Sequence, residues 1–277
     1  QNQEALGGYV HPVSIREPFS EYGSKRVPIS LIADSVLGDS DLIELGCLWT
    51  DEIGTAALWH QILNIGVPLS ISAGSDVMND LYRTMAIGAT RVYVKPKGNL
   101  TTESYLNALK QGKSFVTNGP LIEFHVDGKE IGDVVETTNK KVKWTLDVHA
   151  PVPFEKVEIF VNGKVVYTQK GNSKSGSKTY KGSIEVPVGG WVTARVSEGN
   201  VDWPLMDSYP YAESSPIWFN NVGSIDPSSA KQAAKDLLKL LEISKTQLML
   251  GYGENPIPKL LAHFEKAQQK LIEITED

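Results

Sequence analysis

The sequence has one cysteine in 277 residues, Cys47, which excludes an intrachain disulfide and any zinc site built on several thiolates. Cys47 sits in the apolar run Leu45-Gly46-Cys47-Leu48-Trp49, where a buried, inert thiol is the expectation rather than a nucleophile. Long apolar runs are missing too. No stretch reaches the roughly 18 to 20 residues that cross a bilayer, and Gln1-Asn2-Gln3-Glu4 has no basic segment leading into an apolar one. Basic charge is in deficit: 27 Lys and Arg against 33 Asp and Glu leave a net charge of −6. That argues against nucleic acid as a partner, since neutralising phosphates needs clustered cations. The chain lacks a Gly-x-Ser-x-Gly elbow, a Cys/His pair and a dinucleotide fingerprint, and the polar run 171–178 lacks the spacing of a phosphate loop. A soluble chain is expected, with export left open, and a first residue other than methionine suggests that something upstream was removed.

What is present divides into three segments, as the length leads one to expect. Residues 1–120 alternate strand and helix. Strands are expected at Gly7–His11, Val27–Ala33, Asp41–Gly46, Pro68–Asp76, Arg91–Lys95 and Ser114–Thr117, with Val27–Ala33 also readable as helix. A helix over Asp51–Ile65, capped by Thr50, and another over Thr102–Gln111 complete the alternation. Such a pattern predicts a parallel sheet or barrel, with too few units for eight. Residues 121–222 read as an immunoglobulin-like β-sandwich, with Asn162-Gly163 at a hairpin tip and 171–178 as a polar loop. Residues 223–277 carry two amphipathic stripes, Ala233 to Leu241 and Leu261 to Ile274, which predict a helical hairpin.

Two strand ends carry candidate chemistry. Ser72-Ala73-Gly74-Ser75-Asp76 closes an apolar run with small residues and a carboxylate, and Gly7-Gly8-Tyr9-Val10-His11-Pro12 brings an imidazole to a comparable place. At the carboxyl ends of parallel strands, these are residue types suited to zinc, manganese or iron. Taken singly, Asp76 reads equally as a helix cap or turn residue, and His11 as a hydrogen-bonded structural residue. Glu44, at the end of its strand, reads as a ligand, an acid behind the ligands or a structural group. Asp80, Arg83 and Arg91 could meet an anionic substrate group or could be solvated loop charges, and Asn118 reads as fixing a turn. His125, His149 and His263 read as packing or surface residues.

The ordered blocks Tyr9-Val10-His11-Pro12, Ile62-Leu63-Asn64-Ile65-Gly66, Ser72–Asp76, Thr90–Val94 and Gly112–Pro120 resemble the PHP (polymerase and histidinol phosphatase) superfamily. They are most similar to its CehA/McbA-like metallohydrolase branch, over residues 7–132. The resemblance implies a distorted (β/α)7 barrel holding divalent metal ions (Zn, Mn or Fe), with His11 and Asp76 carried over as ligands. It also implies hydrolysis of a small-molecule ester, carbamate, amide or phosphoester by a metal-bound water. Two features depart from the family. Its His-x-His strand has no counterpart here, and Met78 stands where many members have a histidine. The chain is therefore expected to be the C-terminal two-thirds of such a hydrolase, inactive alone, with its metal site incomplete or empty. A missing N-terminal segment or partner chain would supply the remainder. The alternative is a non-catalytic protein whose sandwich recognises a polymer such as carbohydrate through Trp191, Trp203, Tyr209 and Tyr211.

Overall fold

A computed structural model describes residues 5–77, 86–252 and 258–276. Its first layer is a βαβαβ arrangement. Strand β1 (Gly8–Tyr9) is followed by helix α1 (Leu31–Leu37), β2 (Leu42–Gly46), α2 (Glu52–Asn64) and β3 (Ser70–Ala73). The three strands pair in parallel in the order β1-β2-β3. Val27–Ala33 is thus no strand: its second half opens α1, which buries Leu31, Ile32, Ala33 and Val36 and ends at Gly38 in the left-handed conformation glycine tolerates. Helix α2 is capped by Asp51, not Thr50, since the Asp51 carboxylate accepts from the Gly54 amide at 2.7 Å.

The parallel progression stops at β3. Strands β4 (Arg91–Val94) and β5 (Ser114–Thr117), although joined through α3 (Thr102–Lys110), pair antiparallel with each other. The second edge of β5 is taken by β14 (Ala212–Ser214), so no edge remains to extend the first sheet. The described residues accordingly form a mixed α/β fold with several sheets and five helices, and no closed barrel among them.

The remaining strands build two sheets packed face to face. One carries β6 (Leu121–Val126), β7 (Lys129–Glu130), β9 (Lys141–Ala150) and β12 (Gly176–Glu185) in the order β12-β9-β6-β7. The other runs β11-β10-β13-β14-β5-β4, from β10 (Phe154–Val161), β11 (Lys164–Asn172) and β13 (Gly190–Ser197), with β8 (Val134–Val135) and β15 (Ile217–Phe219) attached to its side. Alternation explains the packing: along β9 every second residue from Val142 to Ala150 is buried, including Trp144 and Leu146. Asn162-Gly163 forms the two-residue turn between β10 and β11, both with positive φ. The polar run 171–178, expected to be a loop, instead mostly extends β11 and β12, leaving 173–175 to connect them.

Helices α4 (Pro227–Tyr252) and α5 (Pro258–Glu276) pack on each other and on α1, and α4 also on α2. Ala233, Ala234, Leu237, Leu240 and Leu241 face Phe264, Ala267 and Leu271 in one core with α1, α2 and the parallel sheet. The residues expected to turn between them fall partly at 253–257, outside those described. No helix among the described residues is long and apolar enough to cross a membrane.

The two layers meet at a buried ionic cluster. Glu213 on β14 has no solvent exposure. It accepts from Arg195 Nε (2.7 Å) and Nη2 (3.2 Å), from the Tyr211 hydroxyl, and from His60 Nε2 on α2 (3.0 Å). Burial alone would raise the carboxyl pKa, but the Arg195 charge and these donors hold it at about 2. Burial lowers the His60 pKa, so its imidazole is neutral and donates Nε2–H. The Arg195 guanidinium also lies 4.4 Å from the Phe160 ring centroid. We predict that Arg195→Met, which strands the buried carboxylate, lowers stability by about 3–5 kcal/mol in urea titrations at pH 7. Because the Glu213 pKa is depressed from 4.5 to about 2, its contribution is complete above pH 4.5 and is lost as pH falls through that window. Unfolding curves for Arg195→Met that overlay the wild type would refute the assignment.

Candidate functional site at the carboxyl ends of the parallel strands

Because β1, β2 and β3 run parallel, the residues that follow them emerge at one end of the sheet. His11 follows β1 by two residues and Asp76 follows β3 by three. Both have positive φ, 35° and 47°, a conformation uncommon outside glycine, and both side chains are exposed. Between them stands Glu44 on β2, only 9% exposed, whose Oε2 accepts from the His11 backbone amide at 2.7 Å. Its other oxygen lies where Gly74 passes: a Cβ on Gly74 would stand 3.2 Å from Glu44 Oε1. Gly74 also donates to the Gly46 carbonyl at 3.1 Å, which ties the strand end carrying Asp76 to β2.

Glu44 therefore positions the turn that presents His11. Ser75 does comparable work beside Asp76: its hydroxyl accepts from the Gly88 amide (2.8 Å) and donates to the Thr90 carbonyl (3.2 Å). Arg91 is engaged in the same loop, donating to the carbonyls of Gly88 and Ala89 at 2.9 and 3.3 Å and lying over the Tyr93 ring. Asp80, Arg83 and Met78 lie outside the described residues. Asn118, expected to fix the turn after its strand, instead ties in the distant segment 207–211: it donates to Asp207 and the Tyr209 carbonyl and accepts from the Tyr211 amide, while the Thr117 hydroxyl closes the turn by accepting from the Gly119 amide and donating to the Pro120 carbonyl.

A second acid next to β2 carries a perturbed charge. Glu52, in the first turn of α2, is buried, and its pKa is pushed up to about 7 by loss of solvent and by the neighbouring charge of Asp207. The Tyr209 hydroxyl donates to Glu52 Oε2 at 2.9 Å, and Arg16 reaches both the Tyr209 ring and Asp51. Its place in the sequence marks Glu52 only as an acid in the first turn of α2, where the helix dipole favours one. The signal that sets it apart, a tyrosine and an aspartate more than 150 positions later, has no local spacing. The Cys47 thiol, pushed up to about 11 by burial, is held in its inert form.

As a metal centre the arrangement is incomplete. Among the described residues, no group of three or more His, Cys, Asp and Glu side chains could hold an ion. One Glu44 oxygen is committed to a backbone amide. His11 and Asp76 are two donors where a catalytic zinc takes three from protein, so the residues present do not fit a resident metal unaided. His263 Nε2 donates to the Asp34 carboxylate (2.7 Å), and His149 pairs with Ser177 (2.8 Å). Asp34 also accepts from the Tyr9 hydroxyl on β1, so His263 is tied to that strand through a carboxylate, whereas His149 lies on β9. Of the aromatics expected to bind a polymer, Trp191 and Tyr211 are buried, Tyr209 is spent on Glu52, and Trp203 is 79% exposed.

No protein-family model matches the chain, and no curated protein matches it. Among solved structures, a lytic polysaccharide monooxygenase of Jonesia denitrificans aligns at 13% identity over 48% of this chain and 79% of its own, with a TM-score of 0.26. The C-terminal domain of wzt aligns at 14% identity over 55% and 93%, with a TM-score of 0.25. Likeness at this level carries no argument about activity.

The buried Glu52 gives a measurable consequence. Its pKa is raised from 4.5 to about 7, so the folded state keeps a proton that the unfolded chain releases, and stability falls as pH rises through that window. Glu52→Gln, which keeps the acceptor for Tyr209, is expected to flatten this dependence and to gain up to about 3 kcal/mol at pH 8. Parallel urea titrations of both proteins at pH 5 and pH 8 test it, and equal slopes would refute it.

Proposed function

We propose that this chain contributes His11 and Asp76 to the active site of a metal-dependent hydrolase of the PHP type, acting on an ester, carbamate, amide or phosphoester. In this reading the βαβαβ layer is the C-terminal portion of a distorted (β/α)7 barrel, followed by an immunoglobulin-like sandwich and the helical hairpin. One observation carries the proposal: two potential ligands leave the same end of β1 and β3, the strands on either side of β2, in left-handed backbone conformations, with Glu44 and Gly74 shaping the space between. Strained non-glycine residues at strand ends are sites where backbone energy is spent on presenting a side chain.

The protein's own part in the chemistry follows from the geometry. Glu44 holds the His11 turn through its amide, Ser75 fixes the Asp76 loop, and the two exposed side chains are left free to engage groups from outside the described residues. A divalent ion, if completed by such donors, would supply Lewis acidity and an acidic bound water. The remaining ligands would come from a His-x-His strand on a further segment or partner chain.

The test is an assay of residues 1–277 against p-nitrophenyl phosphoesters and aryl esters with added zinc or manganese, beside a polypeptide extended to include a His-x-His strand. We expect turnover only from the extended protein, and its loss, by about a hundredfold or more, in Asp76→Ala and His11→Ala. Metal-dependent turnover by residues 1–277 that Asp76→Ala abolishes would overturn the incomplete-site reading. An extended protein with no hydrolytic activity would overturn the hydrolase itself.

A further inference from the structure

Away from the parallel strands, a groove runs along the border between the two large sheets, where edge strand β4 and its neighbour β5 pass β6. It has two compartments in series, of about 360 and 410 Å³, which share Tyr93, Phe115, Ile122 and Glu123 as a common wall. Tyr93 and Phe115 face each other across β4 and β5 with ring centroids 5.1 Å apart and planes 10° from parallel. Tyr93 is nevertheless 41% exposed. Arg91 also lies over the Tyr93 ring, 5.5 Å from its centroid, and donates to its hydroxyl, so the ring pair is held rigid and what it offers a ligand is its exposed rim.

The floor of the first compartment is a polar ladder. Glu123 on β6, Asp147 on β9 and Thr179 on β12 lie side by side in register, as do Leu121, His149 and Ser177 one step along. Thr179 donates to one Asp147 oxygen, and His149 Nδ1 pairs with Ser177 at 2.8 Å. Among the described residues this leaves the second Asp147 oxygen, the Glu123 carboxylate and His149 Nε2 without partners. In the second compartment the cations are already engaged: Lys95 with Glu130 at 2.5 Å and Lys113 with Asp133.

We propose that this groove binds a neutral carbohydrate chain, with successive sugar rings in the two compartments. Vicinal hydroxyls of a sugar donate in pairs to carboxylates and accept from imidazole, matching the free groups on the ladder, while its C–H faces suit the Tyr93 and Phe115 rings. The competing chemistries fit less well. A phosphate-bearing ligand would meet the Glu123 and Asp147 carboxylates against one lining cation without a carboxylate partner, Lys178, which is already turned to the Gly171 carbonyl (2.9 Å) and the Tyr180 ring, and Glu123, Asp147 and His149 do not form a group that could hold a metal ion. Each compartment has the volume of a small-molecule site, and their shared wall lets one ligand continue from one to the other. The site is separate from the hydrolytic reading, for none of its residues belongs to the parallel-strand end.

The experiment is calorimetric titration of residues 1–277 with one-, two-, three- and six-unit members of the cello-, xylo-, malto- and chito-oligosaccharide series. We expect at least one series to bind, with affinity rising from one unit to two or three and then levelling. Tyr93→Ala and Glu123→Ala, checked for unchanged thermal unfolding, should each weaken it by about tenfold or more. Asp76→Ala should bind as the wild type does, so failure of the hydrolase reading leaves this result unaffected, and Trp203→Ala should also be unaffected. If no series binds, if Tyr93→Ala and Glu123→Ala bind normally, or if a lysine-rich peptide binds the groove in place of every sugar, the proposal is wrong.

Discussion

A carboxylate removed from solvent must be neutralised where it stands, and Glu213 meets that condition only if a helix and two strands converge on it. Arg195 comes from the neighbouring strand β13, Tyr211 from the approach to β14, and His60 from α2 in the other layer. Displacing α2 would deprive the carboxylate of one donor and open the aromatic enclosure of Trp59, Trp191 and Phe160 around His60. The same helix is stitched to the hairpin tip beside it, since Asn64 accepts from Trp191 Nε1 and donates to the Asn162 carbonyl. Polar groups that must be satisfied in register fix orientation more narrowly than apolar contact does. The placement of α2 in turn sets where Glu52, in its first turn, meets Tyr209.

The parallel-strand end obeys a smaller version of the same rule. Glu44 is nearly buried, and its carboxylate finds a donor in the backbone of the next strand's turn rather than in another side chain. That choice forces the His11 backbone to present its amide inward and its imidazole outward. It also favours glycine at position 74, where a Cβ would stand 3.2 Å from Glu44 Oε1 and the carboxylate would have to give by a few tenths of an ångström. Of the two small residues between β3 and Asp76, Gly74 answers to Glu44 and Ser75 to the Gly88–Thr90 loop.

Much of the element plan was legible because it rests on local rules. Periodic apolar spacing marked α2, α3 and both C-terminal helices, and Asn162-Gly163 marked its hairpin by the positive φ that both residues accept. Pairing partners were not legible. Ser114–Thr117 reads as a strand, but its antiparallel partners β4 and β14 are chosen by edges that only the assembled sheet offers. The polar run 171–178 lacks apolar alternation and is held extended by β9 and β10 on its flanks. Of the site, Glu44, read as ending its strand, is the central residue of β2, whereas His11 and Asp76 could be placed from strand ends. The load on Glu52 could not, since Asp207 and Tyr209 reach it from the far side of the fold, and the burial of Trp191 and Tyr211 follows from layer packing that composition does not encode.

Sheet edges and missing donors coincide in this fold. Strand β3 abuts β4 and β5 without pairing to them, so on that side the sheet is closed off by packing. On the other side β1 has β2 as its one strand partner among the described residues, and Gly8 and Val10 are exposed there. An open edge this short is a weak template for indiscriminate pairing, yet it is the position from which further parallel strands would deliver side chains to the strand end that holds His11. A strand added beside β1 in the parallel sense would bring its own carboxyl end next to the His11 turn, with Glu44 already holding that turn in place. If the proposed hydrolase is right, completion of the sheet and of the site would be one event, and the His11 turn is already held by its amide's hydrogen bond to Glu44, which needs no ion.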